Sequence, residues 1–149
     1  MAANNADRPA ASQYLQVQTT TDSRVEAMEL VRAAVAARLA ACGQVAGPVA
    51  STYWWNDEIE RAEEWFVFFK LPADRYEALA AFLTERHSYD EPEIVATEFV
   101  AGSASFLAWI TEETRPREAP AVSSGGGPLR GGRDVPGQDD RYGVFRAEG

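Results

Sequence analysis

The sequence predicts an α+β fold whose elements follow the order βαββαβ, with one more helix after the last strand. Segments with the alternation of strands are interleaved with segments of helical period. Two strand-like segments are separated only by the turn residues Asn56-Asp57. The chain has 149 residues, of which 46% are hydrophobic, enough for one core. This order builds a four-stranded antiparallel sheet with two helices on one face, a split βαβ fold.

The first strand and the first helix are predicted from alternation and capping. Polar and apolar residues alternate over 14–20, which is typical of a strand with one apolar side. Ser23 and Glu26 have the spacing of a capping box, which predicts the start of a helix. Apolar residues at helical spacing then carry this helix to about Ala41. They are Val25, Met28, Val31, Val35 and Leu39.

The two central strands are predicted to form a hairpin. Gly43 and Gly47-Pro48 are expected to end the first helix and turn the chain. Residues 49–55 follow as the second strand, and Asn56-Asp57 supplies the turn. Residues 59–70 pair back on the second strand as the third.

The second half repeats the pattern of a helix followed by a strand. Asp74 and Glu77 again have capping-box spacing, which predicts a second helix after Pro72. Residues 94–100 predict the fourth strand, and residues 103–114 predict a short last helix. The stripe of the second helix that we expect to be buried is Tyr76, Leu79, Ala80 and Leu83.

Only residues 14–116 have the composition of a folded domain. Residues 1–13 lack periodicity and are predicted to be a flexible arm. Residues 117–149 are rich in Gly, Ser and Pro, which predicts a disordered tail. The more apolar stretch 142–145 near its end either docks on the domain or has no such role.

The charge of the chain excludes one class of partner. Residues 14–116 hold 17 acidic and 8 basic side chains, and this difference of −9 equals the net charge of the whole chain. Such a body repels phosphate backbones, so nucleic acid is not an expected partner. Asp57, Glu58, Glu60, Glu63 and Glu64 form an acidic hairpin tip, which we interpret as a solvated turn.

A cytoplasmic protein is expected. No apolar run reaches the length of about 18 residues that a membrane helix needs, and no secretory signal is visible. The chain has one cysteine, which fits a reducing compartment.

Large aromatic side chains fall on both faces of the predicted hairpin. They are Tyr53, Trp54, Trp55, Trp65, Phe66, Phe68 and Phe69. One layer of helices covers one face of a sheet, and the other face normally carries polar side chains exposed to solvent. We therefore expect another subunit to cover the open face. The alternative is that the tail or the last helix covers it.

Several motifs, in this order and spacing, resemble the CutA family of divalent-cation tolerance proteins over about residues 14–115. The motifs are Arg38-Leu39-Ala40-Ala41-Cys42, Ser51-Thr52-Tyr53-Trp54-Trp55, the strand ending in Lys70, His87-Ser88-Tyr89-Asp90-Glu91-Pro92-Glu93-Ile94 and Phe106-Leu107-Ala108-Trp109. The resemblance implies a ferredoxin-like fold, a homotrimer, an architecture similar to PII signalling proteins, and an association with copper and other divalent cations. The chain departs from the family at Trp55-Asn56-Asp57-Glu58, where a Gly-Lys pair is usual, and at Ser88, where a proline is usual.

The resemblance places the family's cysteine and histidine motif positions on Cys42 and His87, and its Pro-Glu on Pro92 and Glu93. A thiolate and an imidazole would favour Cu or Zn, and Asp90 and Glu93 could add carboxylate oxygens. The structural alternatives are that Cys42 fills a small apolar space and that a protonated His87 interacts favourably with the dipole at the carboxyl end of a helix.

Three further residues are candidates for an intersubunit cleft: Trp55, Lys70 and Tyr89. Lys70 either pairs with a carboxylate or holds an anionic ligand. No nucleophile-elbow or P-loop spacing is present, so an enzyme is not expected. The predicted function is a homotrimeric divalent-cation tolerance or metal-binding protein. The alternatives are a PII-like regulator that binds a small anionic metabolite or a partner protein, and a purely structural trimer.

Overall fold

A four-stranded antiparallel sheet organises residues 13–117, the part of the chain that the computed structural model describes. The elements of this part are β1 (Tyr14–Thr21), α1 (Arg24–Ala36), β2 (Cys42–Trp55), β3 (Glu58–Pro72), α2 (Tyr76–Arg86), β4 (Val95–Glu98) and α3 (Ala104–Glu113). The strands lie in the order β2-β3-β1-β4, which confirms the predicted βαββαβ arrangement. The predicted arm and tail lie outside the described residues, except for residues 13 and 117.

The core lies between one face of the sheet and the helices α1 and α2. Val67, Phe69 and Leu71 alternate along β3 and are fully buried. Leu79 and Leu83 of α2 pack in the same cluster, which confirms the centre of the predicted stripe. Because side chains along a strand alternate between the two faces, the residues between them lie on the face opposite α1 and α2. We call this second face the open face.

The buried side of α1 differs from the predicted one. Ala27 and Ala34 are fully buried and Leu30 is nearly so, whereas Val25 is 79% exposed and Met28 is 47% exposed. The apolar residues of this helix form two overlapping stripes, and periodicity alone does not choose between them. The stripe that contains two alanines faces the sheet, since small side chains let the helix lie close to it.

The end of α1 was also predicted wrongly, because the helix stops well before Ala41. Arg38 adopts the left-handed conformation with φ 62°. The N–H of Leu39 then donates to the carbonyl of Ala34 at 3.1 Å, which is the reverse turn of a Schellman motif. The left-handed residue at a helix end is usually glycine. Because this position is occupied by Arg38, the sequence lacks the usual signal for the end of α1.

Only part of the predicted capping is present. The Ser23 hydroxyl accepts a hydrogen bond from the Glu26 N–H at 3.3 Å, as predicted. The Glu26 carboxylate instead accepts two hydrogen bonds from Ser88, one from the backbone N–H at 3.0 Å and one from the hydroxyl at 2.8 Å. Asp74 makes no cap, because it lies in a 3₁₀ turn that precedes α2, and α2 begins at Tyr76 without a side-chain cap.

The strand β2 begins at Cys42, earlier than predicted, and its glycines lie within it. A Cβ on Gly43 would lie 2.9 Å from Cγ1 of Val31, and one on Gly47 would lie 2.7 Å from Cδ1 of Trp65. These glycines therefore permit close contacts inside the strand and do not end the helix. The pairing with β3 is interrupted between Ala46 and Val49, next to a cis Gly47–Pro48 peptide bond.

The β2–β3 hairpin extends past the rest of the sheet. β1 pairs with β3 only from Trp65 to Pro72, whereas β2 pairs with β3 as far as Trp55 and Glu58. Residues 49–64 therefore form a two-stranded projection, which we call the ribbon. Its turn is Asn56-Asp57, as predicted, and the φ angles of these residues are 48° and 62°.

The helix α3 is held at its carboxyl end by two arginines. Arg38 donates to the Glu113 carbonyl at 2.9 Å, and Arg75 donates to the Thr114 carbonyl at 2.8 Å. These bonds satisfy carbonyls that a helix end leaves without partners. No helix within residues 13–117 is long and apolar enough to cross a membrane.

Candidate functional site

His87 lies at the end of α2 and is fixed by both of its ring nitrogens. Nε2 donates to the Thr20 carbonyl at 2.8 Å, and Nδ1 accepts from the Tyr89 N–H at 3.0 Å. In this arrangement Nε2 provides the proton to the Thr20 carbonyl and Nδ1 provides the lone pair to the Tyr89 N–H. The side chain is fully buried. The imidazole thus joins the turn at residues 87–89 to the end of β1.

Tyr89 joins the same turn to the base of the ribbon. Its hydroxyl donates to the Glu64 carboxylate at 2.9 Å, and its ring lies 4.9 Å from the His87 ring. Burial raises the pKa of Tyr89 well above its ordinary value, and the neighbouring Glu64 carboxylate raises it further. The phenol therefore stays protonated and remains a donor to the buried Glu64.

Cys42 begins β2 and lies opposite Lys70 of β3. Its thiol is half-buried. Burial raises the pKa of Cys42, and the positive charge of Lys70 offsets only part of this effect. The thiol is therefore protonated at neutral pH, which is the weaker form both as a soft metal ligand and as a nucleophile.

Cys42 and His87 lie at different levels of the sheet. Cys42 is aligned with Lys70, whereas Thr20, to which His87 is bonded, is aligned with Phe66. Four residues along a strand span about 13 Å. Ligand atoms of one zinc ion lie about 2–2.3 Å from it, so two such atoms lie within roughly 4.6 Å of each other. The separation along the sheet is much larger than this, so Cys42 and His87 of one chain are too far apart to bind the same ion.

The two carboxylates of the predicted metal site lie on the surface. Asp90 is exposed, and Glu93 is exposed with Oε1 3.4 Å from Nε2 of Gln18. Within residues 13–117, no three His, Cys, Asp or Glu side chains are close enough to hold a metal ion. One chain does not bring Cys42, His87, Asp90 and Glu93 together. A site that uses both Cys42 and His87 stays a prediction, and it needs more than one chain.

The three predicted cleft residues are also dispersed in a single chain. Trp55 lies at the tip of the ribbon, Tyr89 lies at its base, and Lys70 lies in the body of β3. The Lys70 ammonium donates to Oε1 of Gln44 at 2.8 Å. No Asp or Glu of the described chain pairs with Lys70, so an ion pair with a carboxylate is not its role there.

Sequence reasoning missed Glu64 and Glu26. Both had other interpretations, Glu64 as part of a solvated acidic tip and Glu26 as half of a capping box. Their partners Tyr89 and Ser88 lie 25 and 62 residues away in the sequence. The strand position of Glu64 gave no signal, since nothing local distinguishes it from its exposed neighbour Glu63.

The ribbon exposes large apolar side chains. The exposed fractions are 41% for Tyr53, 71% for Trp54, 52% for Trp55 and 60% for Ile59. Helices α1 and α2 cover the sheet body and leave the ribbon without an apolar layer. Trp54 and Ile59 are cross-strand partners on one face of the ribbon, and Tyr53 and Trp55 lie on the other face. Exposed apolar side chains of this size are typical of an interface with another protein chain.

Comparisons with known proteins agree with the fold and the motifs. The family described as CutA1 divalent ion tolerance protein matches residues 15–113. Protein CutA 1, chloroplastic, from Oryza sativa subsp. japonica is 26% identical over 99 residues, which are 66% of this chain and 56% of that protein. The divalent-cation tolerance protein CutA of Pectobacterium atrosepticum is 27% identical over 110 residues, 74% of this chain and 99% of that protein.

Solved structures show the same architecture. The crystal structure of CutA from Xylella fastidiosa has a TM-score of 0.68 and 30% sequence identity, and the match covers 70% of this chain and 100% of that one. The chain spans little more than half the length of the plant relatives that it matches. The comparisons confirm the family resemblance that the sequence motifs indicated.

Proposed function

Because the chain belongs to the CutA1 divalent ion tolerance protein family, we propose that it acts in tolerance to divalent cations. The observation that carries this proposal is the family match over residues 15–113, which covers the elements from β1 to α3 except for Tyr14. Several relatives bear the name divalent-cation tolerance protein. We place the protein in the cytoplasm, in line with its single cysteine.

We further propose that the cations are of the copper or zinc type and are bound by groups of more than one chain. Asp90 and Glu93 are exposed and need no rearrangement to reach a cation. His87 would first have to give up the hydrogen bond from the Tyr89 N–H, because both ring nitrogens are engaged. Cys42 would have to lose its proton, as any thiolate ligand does.

Calorimetric titration of the full chain with Cu²⁺ and with Zn²⁺ tests cation binding. We expect Glu93→Gln and Asp90→Asn to weaken binding without loss of stability, since both side chains lie on the surface. Glu85→Gln is the matched control, because Glu85 is an exposed carboxylate near the end of α2. The proposal fails if neither metal binds, or if all three variants bind as the parent does.

We propose that the working assembly is a homotrimer. The exposed ribbon aromatics and the open sheet face support this, and a closed ring covers both without open-ended growth. The sheet also ends in the edge strands β2 and β4, whose outer backbone groups can pair with a neighbour. Light scattering after size exclusion should give three times 16.3 kDa. A monodisperse monomer at micromolar concentration would rule out the trimer.

A regulatory or structural trimer would use the same assembly without a metal. Catalysis is not part of the proposal, since the Cys42 thiol is protonated and the His87 nitrogens are both occupied. The titration separates these readings, because only a cation-tolerance protein that acts by binding takes up the metals.

A further inference from the structure

The sheet has a weak point where the ribbon leaves its body. The pairing of β3 with β1 ends at Trp65, so Glu64 is the first residue of β3 that lies beyond β1. At the same level the pairing of β3 with β2 shifts within residues 46–49. We call residues 46–49, Glu64 and Trp65 the hinge. Because a two-stranded hairpin is marginally stable by itself, backbone pairing at the hinge does not fix the direction of the ribbon.

Two side chains of β3 hold the hinge, one on each face of the sheet. Trp65 packs against the core beneath the helices, and Glu64, the next residue along the strand, lies on the opposite face. Glu64 is only 7% exposed, and its carboxylate accepts a hydrogen bond from the Tyr89 hydroxyl at 2.9 Å. No basic side chain within residues 13–117 forms an ion pair with Glu64. Since a buried carboxylate without donors is costly, the bond from Tyr89 favours the ribbon direction in which Glu64 reaches it.

Tyr89 belongs to a turn that is fixed to the body of the domain. The buried His87 ring donates to the Thr20 carbonyl of β1 at 2.8 Å and accepts from the Tyr89 N–H at 3.0 Å. Ser88 donates two hydrogen bonds to the Glu26 carboxylate of α1. The phenol therefore extends from a segment held by β1 and α1, and its hydroxyl connects that segment to the hinge.

We propose that the Tyr89–Glu64 hydrogen bond fixes the direction of the ribbon and that Tyr89 is thereby a positioning residue for assembly. This inference rests on the trimer proposed above, in which the ribbon contacts neighbouring copies. It needs no free surface on the domain, because the bond acts within one chain before the copies meet.

The length of the ribbon makes its direction important. Trp54 lies five residues beyond Val49, about 17 Å along the strand, so a pivot of about 15° at the hinge displaces it by about 4 Å. A displacement of this size misplaces a side chain that has to fit a closely packed interface. A chain whose ribbon points elsewhere cannot assemble, and apparent affinity falls in proportion to the fraction of competent chains.

The competing explanation is that the hydrogen bond only adds to the stability of the fold. Tyr14 provides the matched control, because its hydroxyl is hydrogen-bonded to the Thr111 hydroxyl of α3, away from the hinge. Tyr14→Phe and Tyr89→Phe each remove one tyrosine hydroxyl that bonds across the fold. Only the second change releases the hinge.

The test follows folding and assembly of the full chain separately, in a chelator, after dilution from urea. Circular dichroism reports folding and light scattering reports assembly. We expect Tyr89→Phe and Glu64→Leu to fold as fast as the parent but to assemble at least about tenfold more slowly, because a hydrogen bond to a charged group is lost. Glu64→Gln keeps a carbonyl acceptor and should recover most of the rate. The double variant Tyr89→Phe/Glu64→Leu should be no slower than the slower single variant, since both changes remove one contact.

A distance between two spin labels measures the direction of the ribbon. The labels are placed at Asp57→Cys in the ribbon turn and at Glu85→Cys near the end of α2, both exposed positions, in a chain with Cys42→Ser. Chains frozen after folding and before the scattering rises should give one narrow distance in the parent and a broad distribution in Tyr89→Phe. Tyr14→Phe should match the parent in both distance and assembly rate.

Three results would overturn the proposal: assembly of Tyr89→Phe at the parent rate, equal slowing in Tyr14→Phe, or additive slowing in the double variant. A parent that stays monomeric at micromolar concentration would instead refute the trimer, and the label distance then decides the role of Tyr89. A broader distribution in Tyr89→Phe would support that role, and an unchanged narrow distance would refute it.

Discussion

Replacing His87 by alanine should destabilise the protein even when no metal is present. The substitution removes the Nε2 donor to the Thr20 carbonyl and the Nδ1 acceptor of the Tyr89 N–H. β4 pairs with β1 only as far as Gln18, so Thr20 lies beyond the end of that pairing. The Thr20 carbonyl would lose its partner in a buried place, and the Tyr89 N–H would lose its partner in a half-buried one.

The magnitude follows from these two groups. A buried polar group left without a partner costs about 1–3 kcal/mol, which applies in full to the Thr20 carbonyl, and the half-buried Tyr89 N–H adds a smaller cost. One kcal/mol lowers the midpoint of a body of roughly 100 residues by about 4–8 °C. The smallest expected decrease is therefore about 4 °C. The cavity left by a fully buried ring adds to it.

Thermal unfolding in a chelator, at one fixed protein concentration, measures the effect. His87→Gln places an amide donor near Nε2, and His87→Asn places an acceptor near Nδ1, so each should recover part of the loss. Glu93→Gln, at an exposed position, should leave the midpoint unchanged. A metal-free His87→Ala protein that unfolds with the parent would refute the structural role. If the destabilisation is found, reduced metal binding by His87→Ala is not evidence for ligation.

Four further predictions concern other positions. Thr19→Val should raise the free energy of unfolding by about 1 kcal/mol in denaturant titrations, because the Thr19 hydroxyl is buried and has no hydrogen-bond partner within the described chain; a decrease would show that the hydroxyl has a partner. Gly47→Ala should lower the thermal midpoint, since its Cβ would lie 2.7 Å from Cδ1 of Trp65 at a φ of 157°; an unchanged midpoint would mean that the strand shifts at little cost. The raised pKa of Tyr89 stabilises the fold fully below the pKa of about 10 of an unfolded tyrosine, and this contribution is lost as pH rises towards the folded value. Above pH 10 the parent should therefore lose more stability than Tyr89→Phe in parallel unfolding curves, and equal losses would contradict the shift. Truncation after residue 116 should leave the midpoint and the assembly nearly unchanged, and a large decrease in either would show that the tail packs on the domain.

The order of the elements was predictable because each element has a local signal. Alternation located the strands, the Asn56-Asp57 turn located the hairpin, and Ser23 located the start of α1. The end of α1 was not predictable, because Arg38 occupies a position where glycine is the usual signal. The glycines of β2 led to a wrong prediction because glycine usually indicates a turn. Gly43 instead lies within a strand, where it permits a close contact with Val31.

The candidate site was predictable as a segment but not as a geometry. The sequence identified His87 as a candidate ligand and Tyr89 as a candidate cleft residue, but the partners of these two side chains come from β1 and β3. Whether an imidazole serves as a ligand or as a hydrogen-bonding brace depends on those partners. Sequence spacing carries no information about contacts over 67 residues, the separation of His87 from Thr20.

The central position of β1 has a consequence for synthesis of the chain. β1 leaves the ribosome before the other three strands of the described sheet, yet it pairs with β3 and β4, which are made later. Until residue 98 has emerged, β1 cannot form its complete set of pairs, and its backbone is available to other nascent chains. Slow translation or premature termination between β3 and β4 should therefore produce aggregates more readily than the same event after α3.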